Sequence, residues 1–272
     1  MTMTETSAAS PASLIRQAFE ARRSSGTSAL VPYICAGFPD AAASLALMEG
    51  AARAGADVIE LGVPFSDPLA DGPTIQRATW KALEGGMTVE GTLALLRQFR
   101  SRHDTPVVLF TYLNPVHRYG VARFVAAARE AGAQGVLLTD LPAGADPALE
   151  GAVAEGGLAL IRLLAPTTAP ERIGTVAEGG DGFLYYISRT GVTGARMELR
   201  SELADEITAI RERVELPIAV GFGISSPEQA AEVAGVADGV VVGSALMERV
   251  EAEGVEGAEA FLRSLREAMD AR

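Results

Sequence analysis

Residues 106–140 read PVVLFTYLNPVHRYGVARFVAAAREAGAQGVLLTD. An apolar run, PVVLFTY, leads into a stretch of helical period, VARFVAAAREAG, which ends in glycine before a second apolar run, GVLLTD. Runs that are apolar throughout, rather than at alternate positions, fit strands buried on both faces. A glycine after the last periodic residue is a helix stop. Strand, helix and strand in this order make a parallel pair joined by a crossover helix.

The same unit repeats outward in both directions. Further runs are ALVPYI (29–34), DVIELG (57–62), LALIRLL (158–164), GFLYYIS (182–188), LPIAVGFG (216–223) and DGVVVGS (238–244). Helical stretches such as AAASLALMEGAARAG, LADEITAIRERV and PEQAAEVAGV lie between them. Eight such units in about 250 residues predict an α/β protein with a (β/α)8 TIM barrel. An open doubly wound sheet is the alternative, but no run carries GxGxxG followed by a helix and a ribose-binding acid. The stretch ASLIRQAFEARR (12–23) predicts an extra N-terminal helix across the barrel bottom, and the wide gaps after strands 2 and 6 predict additional loop elements there. Residues 1–11 read as a mobile leader and 12–272 as a single barrel domain, since no linker or low-complexity tract divides the chain.

Composition narrows the function. The formal net charge is -12 and the pI about 4.7, which argues against nucleic acid or an anionic membrane as partner. A phosphorylated substrate stays open, because backbone amides bind phosphate without a basic field. A single cysteine, Cys35, excludes an intramolecular disulfide and fits a cytoplasmic protein, and no apolar run approaches membrane-span length. Lys81 is the sole lysine, within the helical stretch QRATWKALEGG.

In a (β/α)8 barrel the chemistry lies at the C-terminal ends of the strands and in the loops beyond. Glu60 interrupts the second strand there. If Ile59 and Leu61 face the helices, Glu60 points into the barrel mouth. Two readings compete: a carboxylate paired with arginine or water, or a desolvated acid kept for proton transfer. The following loop, PFSDPLADGP, holds Asp67, in a turn or cap position, and Asp71, placed to fold back over the mouth.

The late loops SRTGVTG (188–194), GFGISS (221–226) and GSA (243–245) put glycine and small hydroxyl residues after strands 6, 7 and 8, where this fold commonly binds phosphate. Ser244 is placed to cap the short helix that follows. Tyr33, Phe110, Tyr112, Phe183, Tyr185 and Phe222 cluster near strand ends and suggest a pocket for a flat apolar group. His103, in a polar stretch, reads as a surface residue. His117 has no second ligand at metal spacing, so no metal site is expected. Asp140 reads as a turn residue.

The blocks IELGVPFSDPLADGPTIQ, YLNPV, LLTDLP, LLAPTT, YYISRTGVTG, VGFGISSPEQ and VVVGSALM, in that order, resemble the tryptophan synthase alpha subunit family over about residues 12–270. The resemblance implies a lyase of tryptophan biosynthesis that cleaves indole-3-glycerol phosphate to indole and glyceraldehyde 3-phosphate. It implies Glu60 as the proton-transferring catalytic residue and Asp71 as its partner, holding the indole N–H. Tyr185, Tyr112 and Tyr33 would contact the substrate. Thr193 would meet Asp71 as the RTGVTG loop closes, and Gly194, Gly223, Gly243 and Ser244 would bind the phosphate. The resemblance also implies an alpha2 beta2 assembly, with the loop at Asp67 and Pro68 against the beta subunit and indole passed between the subunits. Pyridoxal phosphate is expected only in that partner, and no cofactor in this chain.

The residues support such chemistry on their own terms. A retro-aldol cleavage needs an electron sink, commonly a lysine Schiff base or a metal ion. This sequence supplies both poorly. An indole protonated at carbon 3 accepts the electrons itself, so an acid, a base and a hydrogen bond to the ring nitrogen suffice. A phosphosugar isomerase is the enzymatic rival, and a non-catalytic partner of a beta subunit the rival of another class.

Overall fold

A computed structural model describes residues 11–188, 196–221 and 223–271, with backbone alone for 196–201. Eight parallel strands close into a barrel in sequence order. They are β1 (Ala29–Cys35), β2 (Ile59–Gly62), β3 (Val107–Thr111), β4 (Gly135–Leu138), β5 (Ala159–Leu164), β6 (Leu184–Ile187), β7 (Ile218–Gly221) and β8 (Gly239–Val242). Seven fall inside the apolar runs and β1 passes the end of its run by one residue, Cys35, while β8 closes on β1 through pairs such as Val31↔Val241.

The alternation of each strand divides the core. Ile59, Leu61, Val107 and Leu109 pack outward against Leu47, Leu93 and Leu96 of the surrounding helices. Val58, Val108, Leu137, Ile161 and Ala219 fill the barrel interior. The N-terminal helix α1 (Pro11–Ser24) closes the bottom, as the sequence predicts. Its Ile15 and Phe19 belong to the interior cluster, and Phe19 stacks on Phe183 with ring centroids 5.2 Å apart. Phe183 is thus a bottom-plug residue, because it precedes β6 and not its C-terminal end. This corrects its grouping with the mouth aromatics.

The helices on the outside are α2 (Ala41–Arg53), α3 (Pro73–Glu84), α4 (Val89–Arg100), α5 (Leu113–Tyr119), α6 (Val121–Ala131), α7 (Pro147–Glu155), α8 (Ile173–Ala177), α9 (Arg196–Arg211), α10 (Pro227–Ala234) and α11 (Ser244–Asp270). The wide gap after β2 is filled by the loop 63–72 and two helices, α3 and α4. The loop after β6 lies largely outside the described residues. A further element that the sequence reading did not identify, α5, follows β3: Pro115 sits in its first turn, where the missing N–H costs nothing. The last helix bends at Gly254, whose φ of +73° and ψ of -168° break its course, so the segment directly after β8 is a short helix of about ten residues.

Candidate active site

Glu60 occupies the inward face of β2, cross-strand from Tyr33 on β1 and Val108 on β3. It is fully buried, and neither carboxylate oxygen has a hydrogen-bond partner among the described residues. Of the two sequence readings, pairing with an arginine is not observed among the described residues. A buried carboxylate without compensation keeps its proton, and desolvation pushes Glu60 up to about 8.

Asp71 comes from the loop after β2, and the loop does fold back over the mouth. Its Oδ2 accepts a 3.0 Å hydrogen bond from the Tyr112 hydroxyl, and the same hydroxyl accepts one from the Ala70 amide at 3.0 Å. Burial pushes Asp71 up to about 6, with the Tyr112 hydrogen bond pulling the other way. The field of Asp71 reaches Tyr33, Cys35, Tyr112 and Tyr185, and that of Glu60 reaches Tyr33 and Tyr185. Two acids and three tyrosines therefore share one mouth.

The aromatic walls have a definite geometry. Tyr33 meets Phe110 edge-on at 5.2 Å, and Phe65 of the loop lies 5.3 Å from Tyr112. Two glycines set where the phenols lie. A methyl group at Gly62 would come 2.2 Å from the Tyr33 hydroxyl, and one at Gly221 would come 2.2 Å from the Tyr185 hydroxyl. Each glycine is a slot for the tip of a neighbouring tyrosine, a close approach that only a strand position without a side chain permits. Sequence reasoning missed both slots, although glycine at an inward strand position was the available signal. Gly62→Ala and Gly221→Ala are expected to cost about 1–3 kcal/mol of stability by overpacking, and to lower kcat/KM about tenfold or more as the ring shifts. Thermal unfolding and steady-state kinetics measure both; unchanged values for both variants would mean that the rings are free to yield.

The remaining predicted residues divide. Gly223 takes φ +77° just beyond β7, and Gly243 and Ser244 open α11 directly after β8, so both loops lie where a phosphate site would form. Ser244 is not a cap: Gly243 holds that position, without a side-chain hydrogen bond, and Ser244 is the first helical residue. The first amides of this helix have no intrahelical acceptor. Thr193, Gly194 and Phe222 lie outside the described residues. Asp67 and Pro68 stand on the loop, where the Asp67 carboxylate accepts from Ser66 at 2.5 Å. Beside them are Leu69, 90% exposed, and Trp80 on α3, 62% exposed.

Other candidates are engaged with partners other than the two acids. Lys81 is exposed on α3 with its ammonium 5.5 Å from the Phe38 ring, so no lysine reaches the interior. Cys35 is buried, bonded weakly to Thr79, and burial pushes its thiol up to about 12. His103 stacks on Phe99. Asp140 fixes the start of α5 by accepting from the Leu113 amide at 2.7 Å. His117 lies 3.8 Å from Asp146, an acid its sequence neighbourhood does not contain. Among the described residues no three His, Cys, Asp or Glu side chains gather as a metal site.

What such a mouth can do is move protons at a flat apolar substrate, which places the molecule among (β/α)8 enzymes that work by carboxylate acid–base catalysis. The chain belongs to the tryptophan synthase alpha chain family, whose model matches residues 19–271. It is 47% identical over 256 residues to the tryptophan synthase alpha chain of Chloroflexus aggregans, covering 92% of this chain and 96% of that one. To the alpha chain of Dechloromonas aromatica it is 49% identical over 254 residues, covering 93% and 95%. Among solved structures, tryptophan synthase subunit alpha from Legionella pneumophila superposes with a TM-score of 0.87 at 39% identity, covering 95% of this chain and 99% of that one. Tryptophan synthase from M. tuberculosis, in an aminoacrylate-bound form, gives 0.85 at 36% identity, with 95% and 99% covered.

Proposed function

We infer that Glu60 and Asp71 divide the work of carbon–carbon cleavage, Glu60 transferring protons and Asp71 holding the indole N–H. The reaction is that of the family: indole-3-glycerol phosphate is cleaved to indole and glyceraldehyde 3-phosphate in tryptophan biosynthesis, and the partner is the tryptophan synthase beta subunit. The observation that carries the residue assignment is the buried, unpartnered Glu60 carboxyl at the mouth, which holds its proton at neutral pH.

A proton placed on ring carbon 3 turns the indole into the electron sink. The bond from carbon 3 to the side chain then breaks, its electrons return to the ring, and the adjacent hydroxyl loses its proton as the aldehyde forms. Protonated Glu60 is suited to the first transfer, and its carboxylate to the second. Asp71, the more acidic of the two, accepts the ring N–H and stabilises the positive charge that develops there. Tyr33, Tyr112 and Tyr185 flank the ring. The phosphate rests on backbone amides at Gly194, Gly223, Gly243 and Ser244, with Thr193 meeting Asp71 on closure. The chain uses no cofactor of its own, pyridoxal phosphate belonging to the partner. Asp67 and Pro68, beside exposed Leu69 and Trp80, form part of the surface against the beta subunit. Residues 12–272 act as one barrel domain. Among the described residues no helix is long and apolar enough to cross a membrane, which accords with a cytoplasmic biosynthetic enzyme.

The test is indole release from indole-3-glycerol phosphate by the purified chain, alone and with its beta subunit. Slow release alone and faster release with the partner is the expected result. No indole in either condition would overturn the reading.

A further inference from the structure

The sequence places Tyr112 among the residues that wall the substrate, yet its hydroxyl is already committed. The Ala70 amide only donates, so the phenol oxygen accepts there, at 3.0 Å. The Thr139 hydroxyl, just beyond β4, is spent on the Thr111 carbonyl at 3.3 Å. The phenol has one proton, and it points to Asp71 Oδ2 at 3.0 Å. We propose that Tyr112 is a positioning residue whose phenol, oriented by the Ala70 amide, keeps Asp71 Oδ2 an acceptor and so leaves Oδ1 as the oxygen that receives the substrate's ring N–H.

This deepens the role assigned to Asp71 above and rests on it. A proton bound to Asp71 must go to Oδ1, since Oδ2 already faces a donor. That is the position an incoming N–H needs empty. Among the described residues, the titratable side chains that the charge of Asp71 reaches are Tyr33 and Cys35 from β1, Tyr112 just beyond β3 and Tyr185 from β6, with Glu60 of β2 acting on the same Tyr33 and Tyr185, and none of these is a cation. Burial raises Asp71, and the Tyr112 hydrogen bond is the one opposing influence among the described residues. The ionised form therefore depends on this phenol. The same hydroxyl ties the loop to the barrel by accepting from the Ala70 amide, so one phenol sets both the loop's position and the state of its acid.

The experiment follows kcat/KM against pH for indole-3-glycerol phosphate cleavage by the alpha–beta complex. In the native enzyme the acid limb reports Asp71 losing its proton and the alkaline limb reports Glu60 losing its own. In Tyr112→Phe the acid limb moves to higher pH while the alkaline limb stays, so kcat/KM falls about tenfold near pH 6 and much less near pH 8. Incorporating 3-fluorotyrosine at position 112, a stronger donor of nearly the same shape, moves the acid limb the other way. A loss that is equal at every pH, or no loss, overturns the proposal. If Tyr112→Phe does not fold, the fluorinated enzyme decides alone, and an unmoved limb overturns it. Asp71→Asn separates the two levels. Should that variant keep native activity, the role of Asp71 itself fails. Should it be inactive while the Tyr112 variants leave the limb unmoved, only the role of Tyr112 fails.

Discussion

Replacing Glu60 with glutamine is expected to lower kcat for cleavage about 10²–10⁴-fold, the range for loss of a positioned acid–base group. Glutamine matches the neutral carboxyl in shape and burial, so the mouth should keep its form and substrate binding should change little. The variant then reports the missing proton and not a collapsed pocket. Its stability carries a second signature. The unfolded chain releases the Glu60 proton near 4.5, whereas the folded chain holds it up to about 8. Between those values the unfolded state binds fewer protons, so this residue makes the native enzyme lose stability as pH rises. Glutamine removes that slope. The variant should gain on the native protein across pH 4.5 to 8 and level off above, and at ~1.4 kcal/mol per decade the gain is on the order of several kcal/mol. Urea unfolding at pH 5 and pH 8 measures it. Near-normal cleavage, or a stability difference flat with pH, would remove Glu60 from its role.

The fold was readable because burial acts on the sequence directly. Strands covered on both faces leave continuous apolar runs, and the eight strands lie within them but for Cys35, one residue past the end of the first run. Glu60 stood out for the same reason, as the one acid inside any of the eight strands. The short helix α5 did not, since seven residues with an internal proline give almost no period to read. Phe183 was grouped with the mouth because a list of aromatics does not say which end of a strand each occupies. Only its stacking on Phe19 of α1 settles that.

The site was less legible than the barrel, and the reason is distance along the chain. Asp71 reaches Tyr112 across 41 residues and Ala70 reaches it across 42, so neither contact leaves a local pattern. The resemblance to a family supplied the pairing of Glu60 with Asp71, which spacing alone had left weak. It did not supply the slots at Gly62 and Gly221. These follow from inward-facing positions next to Tyr33 and Tyr185, a relation fixed by register between neighbouring strands.

Asp71→Asn is expected to cost about 10²–10³-fold in kcat/KM, comparable to losing one preorganised partner of a developing charge. With its oxygen toward Tyr112, the asparagine presents an amino group to the substrate's ring N–H, and two donors face each other. Flipped, its amino group meets a phenol oxygen that already accepts from the Ala70 amide, and the phenol proton loses its acceptor. Either arrangement forfeits a hydrogen bond in a buried site, and neither offers the negative charge that would stabilise the cation on the ring. Raising the pH cannot rescue the variant, because asparagine has no proton to lose; this distinguishes it from Tyr112→Phe, whose deficit should shrink toward pH 8. Steady-state cleavage across pH 6 to 8 by the alpha–beta complex decides the matter. A deficit under tenfold at every pH would mean that the ring nitrogen finds its acceptor elsewhere.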